Sequence, residues 1–196
     1  MNVFSSHSMP HHLAKLLSFG IAMTIFGMYS HTLFPENSAN ILKAIQQASL
    51  PTSDPLMSQL FLRLLNDSIR LFFVLCSGIL FGVIPLLFLA MNAYLLGILL
   101  IGISLSGFPV AQFFLALLPS GVFNALAILL TTAYAMQLGR HFIQPRQVRE
   151  PFFAIMTRVL REFNTKIVPL LCLSAIIDTF FTRNILSQFI LHLSHF

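Results

Sequence analysis

The chain has 196 residues, of which 57% are hydrophobic and only 9% charged, and its mean hydropathy is +0.85. Soluble globular domains carry about 25% charge, so that class is excluded. The net charge of +5 does not point to nucleic acid either, because the basic residues gather between Arg140 and Lys166, next to apolar stretches. That is the distribution of the positive-inside rule.

No Asp, Glu, Lys or Arg occurs between Arg70 and Arg140. At ~1.5 Å per residue the stretch makes on the order of 100 Å of helix, and a hydrocarbon core is about 30 Å thick. It therefore accounts for about three crossings. Peptide groups in lipid must bond within their own helix. The expected fold is all-α: one polytopic membrane domain over 1–196, with about five transmembrane helices.

The first apolar segment, 16–34, follows a polar lead with Lys15. A cleaved signal peptide competes with an uncleaved span, but Met28-Tyr29-Ser30-His31 makes a poor cleavage site. The uncleaved span is preferred. An outer polar loop, 35–68, is punctuated by Pro35, Pro51 and Pro55. Within it, 40–48 and 56–65 read as amphipathic helices, the second leading into the next span.

Spans are predicted at 69–90 and 93–107, separated by a turn at Met91-Asn92 or by Pro85. A second turn follows at Gly107-Phe108-Pro109. The stretch 110–138 is interrupted by Pro119-Ser120-Gly121. It is either one tilted, broken helix or a re-entrant piece to Leu118 followed by a span from Ser120. A basic segment, 139–166, includes an amphipathic helix at 152–163. A fifth span, 167–181, and an amphipathic tail, 183–196, complete the chain.

With the N-terminus cytoplasmic, seven basic residues lie inside: Lys15, Arg140, Arg146, Arg149, Arg158, Arg161 and Lys166. Lys43, Arg63, Arg70 and Arg183, four in all, lie outside. The reverse orientation breaks the positive-inside rule. The C-terminus is therefore expected to be extracytoplasmic.

No catalytic, cofactor-binding or metal-ligating set is expected. Cys76 and Cys172 lack a CxxC partner and read as small apolar residues. The histidines are scattered and no HExxH occurs. Ser120 sits at the helix break, but no histidine lies in any span after the first to serve as its base. A GxxxxGKS phosphate loop is also missing.

Asp178 is the only acid within a predicted span. It suits either an ion or proton site or a structural pairing at the helix end, with Arg183 as the nearby counter-charge. Gly78 and Gly82 form a GxxxG, and Gly20 and Gly27 share a helix face. With Gly97, these four are assigned to close helix packing.

Read in order, "FLRLLNDSIRLFFVLCSGILFGVIPLLFLAMNAYLLG", "FFLALLPSGVFNALAILLTTAYAMQLGR", "EPFF" and "LSAIIDTFFT" resemble the stage II sporulation protein M family of integral membrane proteins. The matching positions include Asn66, Gly78, Gly82, Asn92, Gly97, Pro119 and Gly121. Ser120, Asn124 and Asp178 stand where broader family members often carry histidine, glutamate and glutamate. These replacements remove ionisable groups and suit a scaffold.

The resemblance implies a non-enzymatic scaffold in the cell membrane at the forespore septum. It would hold the wall-degrading stage II sporulation proteins D and P during engulfment in endospore formation. No cofactor is implied. Membrane lipid surrounds the spans, and a homo-oligomer is open. The alternative is a small transport component, either a channel or the permease-like subunit of an ABC system, with the broken helix lining a path.

Overall fold

A computed structural model describes residues 9–48, 55–80, 82–105, 110–143 and 151–182. These residues form helices and short turns, with no strand among them. The helices are α1 (Met9–Leu33), α2 (Pro35–Ala48), α3 (Leu56–Ser77), α4 (Val83–Leu105), α5 (Val110–Ile143), α6 (Phe152–Glu162) and α7 (Val168–Ile177). A π-helical turn, Phe163–Ile167, joins α6 to α7, and another, Asp178–Thr182, follows α7.

Proline sets several of the helix starts. Pro35 opens α2, with Glu36 in its first turn to complement the helix dipole. Pro55 and Pro151 precede α3 and α6. Pro169 stands at the beginning of α7, directly after the π turn. Its ring cannot donate to the Thr165 carbonyl and crowds it, and the wider turn relieves that conflict.

The division between the second and third spans differs from the expected one. Met91 and Asn92 lie inside the uninterrupted α4. Asn92 folds its amide back to donate to the Phe88 carbonyl at 2.8 Å, so a polar residue sits in mid-helix without breaking it. The chain turns instead over 78–82, where Gly82 takes a φ of +74° that favours glycine. Pro85 does not interrupt α4 either. It lies in the first turn, where backbone N–H groups have no intrahelical acceptor in any case.

Of the two arrangements open for 110–138, the structure adopts one helix, with Pro119 inside α5. The helix expected at 56–65 is the first half of α3, which continues without a break to Ser77. The turn at 107–109 and the tail 183–196 lie outside the described residues.

Helix directions follow from which ends meet. Gly78 lies against Ala135, and Arg63 meets Asp178, which also contacts Ser120. α3 therefore runs parallel to α5, and α7 antiparallel to it. α4 starts beside Met136 and runs back antiparallel to α5, with α1 packed along it. Leu71 and Leu75 of α3, Ala127, Ala135 and Leu138 of α5, Val159 of α6, Ile167 of the π turn and Leu171 of α7 fill the centre.

Among the described residues, four segments are long and apolar enough to cross a membrane: His12–Leu33, Val83–Leu105, Leu118–His141 and Phe152–Phe180. α3 runs alongside α5 but carries Arg63, Asp67 and Arg70, which set it apart from those four. The outward helix faces are lined by large apolar side chains such as Ile21, Ile25, Phe73 and Leu87. The protein is an all-α, multi-pass membrane protein.

Candidate functional site

Two groups of polar side chains are tied together, one towards each end of the bundle. The first group lies where α3, the Pro119 region of α5 and the end of α7 meet. Asp178, at the C-terminal end of α7, pairs with the Arg63 guanidinium of α3. Ser120 donates its hydroxyl to the same carboxylate at 3.3 Å. The Ser120 carbonyl in turn accepts the Ser174 hydroxyl at 2.9 Å.

One turn beyond Arg63, Asp67 lies within the electrostatic reach of Arg63, Arg70 and Asp178. Arg70 approaches Asp67 at 3.9 Å and lies over the Phe88 ring of α4, 5.4 Å from its centroid. Two acids and two arginines thus balance, and three helices are tied through one carboxylate.

The second group sits at the opposite end. Tyr134 of α5 donates to Glu162 at 3.0 Å. Lys166 bridges both partners, 2.6 Å from the Glu162 carboxylate and 3.3 Å from the Tyr134 oxygen. The π turn places Lys166 one turn after Glu162. Nearby in the same end of the bundle, Arg140 contacts His12 across 2.9 Å, joining α5 to α1.

The packing glycines behave differently from one another. A Cβ on Gly97 would strike the Thr24 carbonyl and lie 2.9 Å from the Met28 nitrogen. One on Gly27 would strike the Tyr94 carbonyl. This pair lets α1 and α4 approach backbone to backbone. Gly78 leaves no room against Ala135, whose Cα would stand 2.7 Å away, and Gly82 lies close to Met136. Gly78, at the C-cap of α3, packs on the α5 backbone, and Gly82 serves the turn that leads into α4. Gly20 departs from the expectation: a Cβ there meets nothing within 4 Å.

Of the motif residues, the structure brings Ser120 and Asp178 together beside Pro119 and Gly121, in the first half of α5. Asn92 is used within α4, and Asn66 is exposed on the surface of α3. The partner of Asp178 was missed from sequence. Arg63 lies far away in the chain, whereas the expected Arg183 is outside the described residues. The signal present was the charged set Arg63, Asp67 and Arg70 within one helix. The Tyr134–Glu162–Lys166 group was also missed, although Glu162 and Lys166 have the i, i+4 spacing of helix ion pairs.

Chemically, the first group is a tie. The Asp178 carboxylate accepts from the Arg63 guanidinium and from the Ser120 hydroxyl. Among the described residues, no group of three or more His, Cys, Asp or Glu is arranged to hold a metal ion.

Neither comparison with curated proteins nor comparison with solved structures gives a match. The family model for Stage II sporulation protein M matches residues 16–183, from the first turns of α1 to just past the last π turn. The match takes in both polar groups and the glycine contacts between helices, and the chain belongs to the Stage II sporulation protein M family.

Proposed function

We propose that this sporulation-related membrane protein is a scaffold without catalytic activity of its own. In this reading it anchors septal peptidoglycan-degrading proteins, stage II sporulation proteins D and P by family resemblance, during engulfment. The supporting observation is the use made of Asp178. Its charge is taken up by Arg63 and its second contact by Ser120, so the carboxylate spends its interactions on joining α3, α5 and α7. The N-terminus is cytoplasmic in this reading, and partners dock on the extracytoplasmic regions 35–68 and 183–196 and on span faces.

Deleting the gene in a spore former tests the proposal. Engulfment is expected to stall and the partner hydrolases to leave the septum. Normal engulfment with the hydrolases still in place would overturn it. Co-purification from membranes in mild detergent should bring the wall hydrolases along.

A further inference from the structure

α6 is too charged for hydrocarbon and too apolar at its start for bulk water. It continues through the π turn into α7, and the whole segment Phe152–Phe180 is long and apolar enough to cross a membrane. Its 29 residues make about 43 Å of helix at 1.5 Å per residue, roughly 13 Å more than a hydrocarbon core. The charges fix which end overhangs. Arg158, Arg161, Glu162 and Lys166 all precede α7, and none lies between Val168 and Ile177.

The two sides of α6 differ. Ile155 and Val159 are buried and hold the helix on the bundle. On the opposite side Phe153, Thr157 and Arg161 follow one another at intervals of four residues, all exposed. Phe153 is 82% exposed, the most open large apolar side chain among the described residues, and its ring meets Phe152 edge-on. At this end of the bundle the described residues include five bases, Lys15, Arg140, Arg158, Arg161 and Lys166, and one acid, Glu162. Lys166 takes up the Glu162 charge, so the surplus is positive.

We propose that the outward side of α6 binds anionic phospholipid headgroups of the adjoining leaflet, with Phe153 inserted at the acyl boundary and Arg161 paired with lipid phosphate. An aromatic ring and a cation on one helix face are both satisfied in that layer: the ring leaves water while the guanidinium stays among the phosphates. Lipid is the occupant because the segment that carries this face crosses the bilayer, and because its surplus charge is opposite to that of an anionic leaflet.

The test uses the full chain with Cys76 and Cys172 replaced by Ala, reconstituted in vesicles. One new cysteine carries a fluorophore, which at position 153 stands in for the ring. Quenching by brominated phosphatidylglycerol is compared with quenching by brominated phosphatidylcholine. At Phe153→Cys the anionic lipid is expected to be preferred about fivefold, the effect of one basic residue at an anionic surface. At Leu105→Cys, exposed at the far end of α4, both lipids should quench equally. Adding Arg161→Gln to Phe153→Cys should bring the preference close to one, and Arg161→Lys should keep it. A second reading needs no label: phosphatidylglycerol should raise the thermal midpoint of the unmodified chain, and raise it less for Arg161→Gln. A label at Phe153→Cys that neither lipid quenches, equal quenching there by both lipids, or a preference that survives Arg161→Gln would each overturn the proposal.

Discussion

Arg63 of α3 and Asp178 at the end of α7 form an ion pair between helices that are remote in the chain, and Ser120 of α5 donates to the same carboxylate. The pair lies where apolar helices converge, so its strength depends on how far water reaches it. Asp178 is mostly buried, whereas the Arg63 side chain is about half exposed and can extend its head towards the interface.

Asp178→Asn isolates the charge from the hydrogen bond, because the amide oxygen still accepts from Ser120. The expected loss is about 2 kcal/mol. This is less than the full cost of orphaning a buried partner, because Arg63 keeps some access to water. A lowered thermal midpoint in detergent would register it, and the exchange Arg63→Asp with Asp178→Arg should recover part. Function separates the two readings of this residue. A scaffold with Asp178→Asn still supports engulfment, whereas a transporter loses flux.

Gly97→Ala should be among the most damaging small substitutions in the chain. The added methyl would run into the Thr24 carbonyl and the Met28 nitrogen, both backbone atoms that no rotamer change can move. Overpacking of this kind costs roughly 1–3 kcal/mol, and α1 must shift from α4 to relieve it. Gly20→Ala serves as the control, with open space around the new Cβ. It should leave the thermal midpoint unchanged or raise it slightly, since alanine favours the helix by about 1 kcal/mol. Equal losses at both sites would show that α1 does not pack on α4 through Gly27 and Gly97.

Much of the helix order was legible because lipid imposes it: charge-free length counts crossings, and proline marks starts. The sequence misleads where one residue type serves two purposes. Asn92 has the look of a turn residue, yet it satisfies its amide on the Phe88 carbonyl and remains in α4. Gly82 has the look of half a packing motif within a span, yet it adopts a positive φ and the chain reverses there, while Gly78 does meet the α5 backbone at Ala135. Asp178 could be recognised as costly in lipid, but not its partner. Pairing with Arg63 depends on α3 lying next to α7, which no local spacing encodes.

Gly82→Ala tests the corrected turn. A residue with a Cβ pays roughly 1–2 kcal/mol in the left-handed region, and the Met136 Cα would stand only 3.3 Å from the added atom. Pro85→Ala, by contrast, should change stability little, because a first-turn proline forgoes no intrahelical bond. If instead Pro85→Ala were the damaging change and Gly82→Ala neutral in thermal unfolding, the break would belong at the proline.

Ser120→Ala decides between a structural and a nucleophilic role for the serine beside Pro119. In the structure its hydroxyl donates to a carboxylate that is already paired with an arginine. The Ser174 hydroxyl bonds to the Ser120 backbone carbonyl, which alanine retains. The 3.3 Å contact to Asp178 is lost, worth about 1 kcal/mol. Spore formation by the variant should therefore approach the unmodified level, with a small drop in thermal midpoint. Complete loss of sporulation by a chain that is folded and present at normal amount would be the signature of a serine nucleophile, and the scaffold proposal would have to be abandoned.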